Sequence, residues 1–127
     1  MKAMMYRLYI TTGTKNKTDK RPDFAGKTKE KVIRELLSRN GVRLEDVNHL
    51  IPHQANGRIL TAVARSMGIP QERFYQNLGS VANTSSASIP IALSQMSSEG
   101  ILRKGDLVLT VAFGAGLLYG GTLFRWK

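Results

Sequence analysis

Apolar positions recur along this chain with two periods, close to 3.6 and close to 2. Residues 4–12 are rich in β-branched and aromatic side chains and predict a strand. A polar stretch follows, broken by Gly13 and Pro22, and reads as a loop. Residues 27–40 predict a helix: Val32, Ile33, Leu36 and Leu37 share one face, and Gly41 supplies a stop. Residues 47–52 are a short apolar run suited to a buried strand. The clearest helix spans 57–67, with Ile59, Leu60, Val63, Ala64 and Met67 in one stripe. Asn56 stands at its N-cap, and Gly68 and Pro70 close it. Residues 74–78 suggest a short strand. Residues 89–98 predict a helix beginning near Ser88, with Pro90 in its first turn and small residues that suit deep burial. The continuous apolar run 107–113 predicts a central strand covered on both faces, and 117–126 a last strand. The order β-α-β-α-β-α-β-β argues an α/β fold, a parallel or mixed sheet with helices on it. There is no internal repeat or low-complexity segment.

Composition narrows the class. A chain of 127 residues with 42% hydrophobic and 22% charged residues is sized and balanced for one globular domain. No apolar run reaches the length of a membrane span, and no signal-peptide core opens the chain, so the expectation is a cytoplasmic protein with no membrane partner. With no Cys there is no disulfide, thiolate metal site or cysteine nucleophile, and two His, His49 and His53, leave little room for a metal cluster. The formal charge is +10, of which +7 lies in residues 1–45, and residues 15–31 carry seven basic side chains. Either this is a solvated loop or it meets an acidic partner. Nucleic acid is the unfavoured partner, because Tyr6, Tyr9 and Phe24 only flank the segment and no aromatic residues interleave with its charges.

Three places could carry chemistry. His53-Gln54-Ala55-Asn56 follows a predicted strand and precedes a helix, where α/β folds place their ligand crevices. A neutral His there can donate to a developing oxyanion, and the helix dipole would oppose its protonation; the alternative is a satisfied turn histidine. Asn56 is equally well explained as a helix cap. Asn83 either caps the next helix or donates its amide to a carbonyl. Gly114-Ala115-Gly116 is either an ordinary turn or a set of free N–H groups for an anion. Arg58 and Arg65, seven residues apart, share the helix face opposite the apolar stripe.

Taken together, these segments resemble a known family. His53-Gln54-Ala55-Asn56-Gly57-Arg58-Ile59 and Asn83-Thr84-Ser85-Ser86-Ala87-Ser88-Ile89-Pro90 are similar to the two C-terminal signatures of β-ketoacyl-acyl carrier protein synthase III, of the thiolase superfamily. Ala112-Phe113-Gly114-Ala115-Gly116-Leu117 resembles that family's glycine-rich terminal loop. The resemblance covers residues 24–127, a thiolase-like C-terminal half; residues 1–23, a strand and basic loop, match poorly.

The resemblance implies roles. His53 and Asn83 match the His and Asn of a Cys-His-Asn triad, donors to the malonyl thioester carbonyl. Asn56 matches a phosphopantetheine contact, and the Ala115 N–H an oxyanion hole. Arg58, with Arg65 beside it on the same face, matches the position that docks acidic acyl carrier protein. The triad cysteine belongs to an N-terminal half that has no counterpart in this sequence. The implied activity is therefore an acyltransferase one, a decarboxylative condensation of acyl-CoA or an acyl thioester with malonyl carrier protein, in fatty acid or polyketide synthesis. It is expected only beside an N-terminal half subunit, with no metal and no cofactor. An isolated half would also expose apolar surface and associate, as a homo-oligomer or with that subunit. The competing reading is a non-catalytic thiolase-like module for binding or dimerisation.

Overall fold

The computed structural model describes residues 9–12, 24–114 and 118–127. Four strands, β1 (Tyr9–Thr12), β2 (His49–Pro52), β3 (Leu107–Gly114) and β4 (Leu118–Arg125), form one sheet in the order β1-β4-β3-β2. β2 runs parallel to β3, while β4 is antiparallel to both β3 and β1, so the sheet is mixed as its alternating pattern predicts. The helices are α1 (Phe24–Asn40), α2 (Gly57–Met67), the single turn α3 (Leu78–Val81) and α4 (Ser88–Ser98). The predicted strand over 4–12 is described only at its end, residues 9–12, and the basic loop 13–23 lies outside the described residues.

Side chains alternate across the sheet with period 2. Leu50, Leu107, Leu109, Val111 and Leu123 face α1 and α2, packing on Val32, Ile33, Leu36, Leu37, Val63 and Ala64. Ile51 and Val108 face the other way, onto Ala92 and Met96 of α4 and onto Leu102. This two-sided burial explains the mostly apolar run of β3, whose residues 107–111 are all buried, Thr110 being the one polar side chain among them.

The α2 boundaries agree with the sequence reading at both ends. Asn56 Oδ1 accepts the Arg58 N–H at 2.9 Å, and Gly68 ends the helix in the left-handed region at φ 64°, returning its N–H to Ala64 and Arg65.

Two expectations are corrected. Residues 74–78 are not a strand. Phe74 makes one parallel bridge to Leu50, and the Tyr75 N–H reaches the Leu50 carbonyl at 2.9 Å. Beyond it the wholly buried side chain of Gln54 replaces a neighbouring strand: Nε2 donates to the Pro52 and Tyr75 carbonyls at 2.8 and 3.0 Å, and Oε1 accepts the Asn77 N–H at 3.3 Å. With its backbone groups satisfied by that amide, the segment turns into α3. The second correction concerns α4, which is buried along one line only, Ser88, Ala92 and Met96, with Pro90, Ser94 and Ser97 exposed. Its small residues admit close approach, but the sheet covers one face and no described element covers the other.

Candidate active site

The end of β2 and the start of α4 converge on an open cleft of about 940 Å³. His53, Ala55, Asn83 and Ser88 line it, and Ala112, Phe113 and Gly114 at the end of β3 complete its wall. His53 and Asn83 are thus brought to one cavity although 30 residues separate them.

His53 is held from three sides. Its N–H donates to the Val111 carbonyl at 2.7 Å, continuing the β2–β3 ladder by one residue. Its Nδ1 lies 2.5 Å from the Ser88 hydroxyl, and its ring meets Phe113 edge-on, with centroids 6.1 Å apart. Ser88 is buried, and its oxygen also accepts the Gln54 N–H at 3.4 Å. Accepting from Gln54 leaves the hydroxyl its own O–H to give and one lone pair, so the direction of its bond to Nδ1 follows the imidazole tautomer. With that proton donated to Nδ1, the imidazole hydrogen sits on Nε2 and the ring's other edge is a hydrogen-bond donor, the form in which the ring can serve a carbonyl in the cleft.

Charge favours the same form. Burial holds the His53 pKa below its ordinary value, and the positive charge of Lys29 adds to this. Sequence reasoning reached neutrality through the helix dipole; the structure supplies desolvation and a buried cation.

That cation is the functional residue the sequence reading missed. Lys29 is 1% exposed, and its Nζ donates to the His53 carbonyl at 3.0 Å and stands 5.3 Å from the centre of the Phe113 ring. Burial lowers its pKa from 10.5 to about 8. A signal was present: Lys29 lies three and four residues before Val32 and Ile33, on the apolar stripe of α1, where a lysine is out of pattern.

Asn83 is exposed at the cleft rim. Its Oδ1 accepts the Ser85 N–H at 2.9 Å, which leaves the amide NH₂ to donate outward. The turn around it is strained: Ala82 has φ 57° with ψ −161°, and Ser85 has φ 55°. The Thr84 hydroxyl is buried without a partner among the described residues.

Asn56 does not line the cleft; it caps α2 at the surface beside it. Arg58 and Arg65 are both exposed, on the side of α2 away from Leu60, Val63 and Ala64. Ala115 lies outside the described residues. His49, at the opposite end of β2 from His53, pairs with Asp106 at 2.9 Å and takes no part in the cleft. No group of three or more His, Asp or Glu among the described residues is arranged to hold a metal ion, and no described helix is long and apolar enough to cross a membrane.

Residues 37–126 match the family described as 3-oxoacyl-[acyl-carrier-protein (ACP)] synthase III C terminal. The chain is 51% identical over 96 residues to a beta-ketoacyl-[acyl-carrier-protein] synthase III of Thermosynechococcus vestitus, covering 76% of this chain and 29% of that protein. It is 47% identical over 103 residues to the protein of that name from Clostridium tetani, covering 81% and 31%. Among solved structures, the 3-oxoacyl-[acyl-carrier-protein] synthase III of Aquifex aeolicus superposes with a TM-score of 0.83 at 38% identity, over 98% of this chain and 44% of that one. The synthase III of Thermus thermophilus gives 0.85 at 29% identity, over 98% and 47%. The chain therefore spans about a third of the length of the curated relatives it matches.

Proposed function

Since the chain belongs to the 3-oxoacyl-[acyl-carrier-protein] synthase III C-terminal family and has its thiolase-like fold, we propose that it is the carbonyl-activating half of a decarboxylative condensing enzyme. The observation that carries this reading is the joint placement of His53 and Asn83 on one cleft, with His53 Nδ1 against the Ser88 hydroxyl and the His53 pKa held below its ordinary value.

In this reading a cysteine thiolate from an N-terminal half attacks an acyl thioester, expelling its thiol and becoming acylated. The malonyl thioester then enters with its carbonyl oxygen between His53 Nε2–H and the Asn83 amide. As the C–CO₂ bond breaks, its electron pair passes to the α-carbon and the negative charge spreads onto that oxygen. Two neutral donors stabilise the enolate more than the uncharged ester, which is the differential binding that catalysis requires. The α-carbon attacks the acyl-cysteine, the new C–C bond forms and the thiolate departs. The Ala115 N–H is assigned to the oxyanion of that second carbonyl. No metal or organic cofactor enters, because the thioester is the electrophile and decarboxylation makes the nucleophile.

Partners follow from the same reading. Asn56, beside the cleft, is assigned to the phosphopantetheine arm, and Arg58 with Arg65 to the acidic carrier. Rim charge pairs are screened over about 10 Å at 0.1 M salt, so carrier binding should weaken with added salt. Arg58→Glu should weaken it more than Lys17→Glu, although both change the net charge equally.

Two experiments test the function. Alone, the chain incubated with radiolabelled acyl-CoA should form no covalent adduct, having only poorly activated hydroxyls and amines. Combined with a cysteine-bearing N-terminal thiolase half, it should condense acyl-CoA with malonyl carrier protein, and His53→Ala or Asn83→Ala should abolish the product. A stable complex that binds carrier but never condenses would favour the non-catalytic module instead.

A further inference from the structure

Lys29 is the one buried lysine among the described residues, and it stands behind the cleft wall without lining the cleft. Packing does not ask for it. The stripe of α1 is otherwise apolar at Val32, Ile33, Leu36 and Leu37, and an aliphatic residue would extend it one more turn. Burying an ammonium costs several kcal/mol unless polar partners compensate it. Among the described residues its partners are a single carbonyl, that of His53, and the face of Phe113, the ring against which the His53 imidazole rests. Both of these contacts lead to His53, one directly and one through the Phe113 ring.

We infer that Lys29 is a positioning residue for His53: its ammonium pins the backbone at the end of β2 and sets a positive charge behind the imidazole, so that the ring works as an uncharged donor. Among the described residues the other groups facing that ring are neutral, Ser88 from α4 and Phe113 from β3, so Lys29 from α1 is the described charge that acts on it. The amine's lowered pKa of about 8 still leaves it protonated throughout the range in which an imidazole titrates. A lysine at this depth thus acts on His53 at the pH values where His53 would otherwise gain its proton. With that proton on Nδ1, the bond from Ser88 would be lost and the ring would turn from a neutral donor into a cation.

The inference rests on the reading of His53 as a neutral donor, but its test needs no cysteine-bearing partner. The chain has two histidines, and His49 serves as an internal control at the far end of β2. Imidazole nitrogen shifts of the ¹⁵N-labelled chain would be followed between pH 4 and 9 for the wild type, Lys29→Met, Lys29→Gln and Lys29→Arg. Both neutral variants should raise the His53 midpoint by roughly half a unit or more, the lower part of what a nearby charge does. Lys29→Arg should leave it close to wild type, and His49 should not move. The Gln variant keeps a donor for the His53 carbonyl, so it separates the charge from the hydrogen bond and gives a result even where Met disturbs folding. An unchanged His53 midpoint in the neutral variants, or an equal movement of His49, would overturn the inference. If the titration behaves as expected while reconstituted condensation fails, the proposed function falls and the action of Lys29 on His53 stands; the reverse pair of results retires Lys29 alone.

Discussion

His53 Nδ1 and the Ser88 hydroxyl meet at 2.5 Å across 35 residues of chain, joining the end of β2 to the first turn of α4. The same serine oxygen accepts the Gln54 N–H, so one small buried side chain ties the HQAN segment to the Asn83 loop. Ser88→Ala removes a partner from both groups and keeps the packing volume nearly constant. The expected cost is about 1–3 kcal/mol in urea unfolding, the usual penalty for an orphaned buried group. The His53 nitrogen shifts should also move toward a mixture of tautomers. A variant with wild-type stability and a pure Nε2–H ring would show that Ser88 does not set the tautomer.

At Gly121 the α1 side chains Leu36 and Val32 press directly on the β4 backbone. A Cβ built there would lie 2.5 Å from the Thr110 carbonyl oxygen, 2.7 Å from Leu36 Cδ1 and 3.0 Å from Val32 Cγ1. The first of these is backbone of the paired strand and cannot give way without breaking register. Gly121→Ala should therefore destabilise by about 3 kcal/mol or more, at or above the upper part of the overpacking range. Gly114→Ala meets nothing within 4 Å and serves as the control. Equal denaturation midpoints for the two variants would contradict the close approach.

Ala82 carries strain beside Asn83, with φ 57° and ψ −161°, a region that glycine occupies freely. Ala82→Gly relieves a cost of roughly 1–3 kcal/mol and adds back part of it as unfolded-chain entropy. A net gain of about 1 kcal/mol is expected in chemical denaturation. A loss of stability would mean that the surrounding turn, and not the alanine, sets this backbone geometry.

Much of this architecture is legible in the residues, where local physics acts alone. Asn56 and Gly68 delimit α2 because capping is decided within one turn of helix. The run 107–113 reads as a central strand because two covered faces leave room for a single polar side chain, Thr110, whose hydroxyl pairs with that of Thr122 on β4. The segment 74–78 misleads because its partner is a side chain: the Gln54 amide supplies the hydrogen bonds that a strand neighbour would, and no periodicity records that. The burial of α4 is not legible in its residues, because small side chains state how closely a helix can be approached, not whether anything approaches it. At the site, motif spacing brings out His53 and Asn83. Lys29 stays hidden because it falls in the basic stretch 15–31 and is read there only for its charge, while nothing local records that the His53 carbonyl and the Phe113 ring receive it.

Lys29 also makes stability depend on pH in a stated direction. Its pKa falls from 10.5 in the open chain to about 8 when buried. Between those values the unfolded chain holds a proton that the folded chain has released. Stability therefore rises with pH from about 8 toward about 10.5 and is lowest where the buried amine is charged. At 1.36 kcal/mol per unit the full rise is on the order of 3 kcal/mol. Tyr75 acts in the same alkaline range, since burial and then Glu99 push its phenol up, so the folded chain resists that ionisation and loses stability as it proceeds. The readout is accordingly the difference between wild type and Lys29→Met, in which the tyrosine contribution cancels. Urea midpoints measured from pH 7 to 10.5 should show the methionine variant more stable at pH 7 and the two curves converging as the pH rises. Parallel curves would mean that the Lys29 amine is not desolvated, and that the cation behind His53 is open to water.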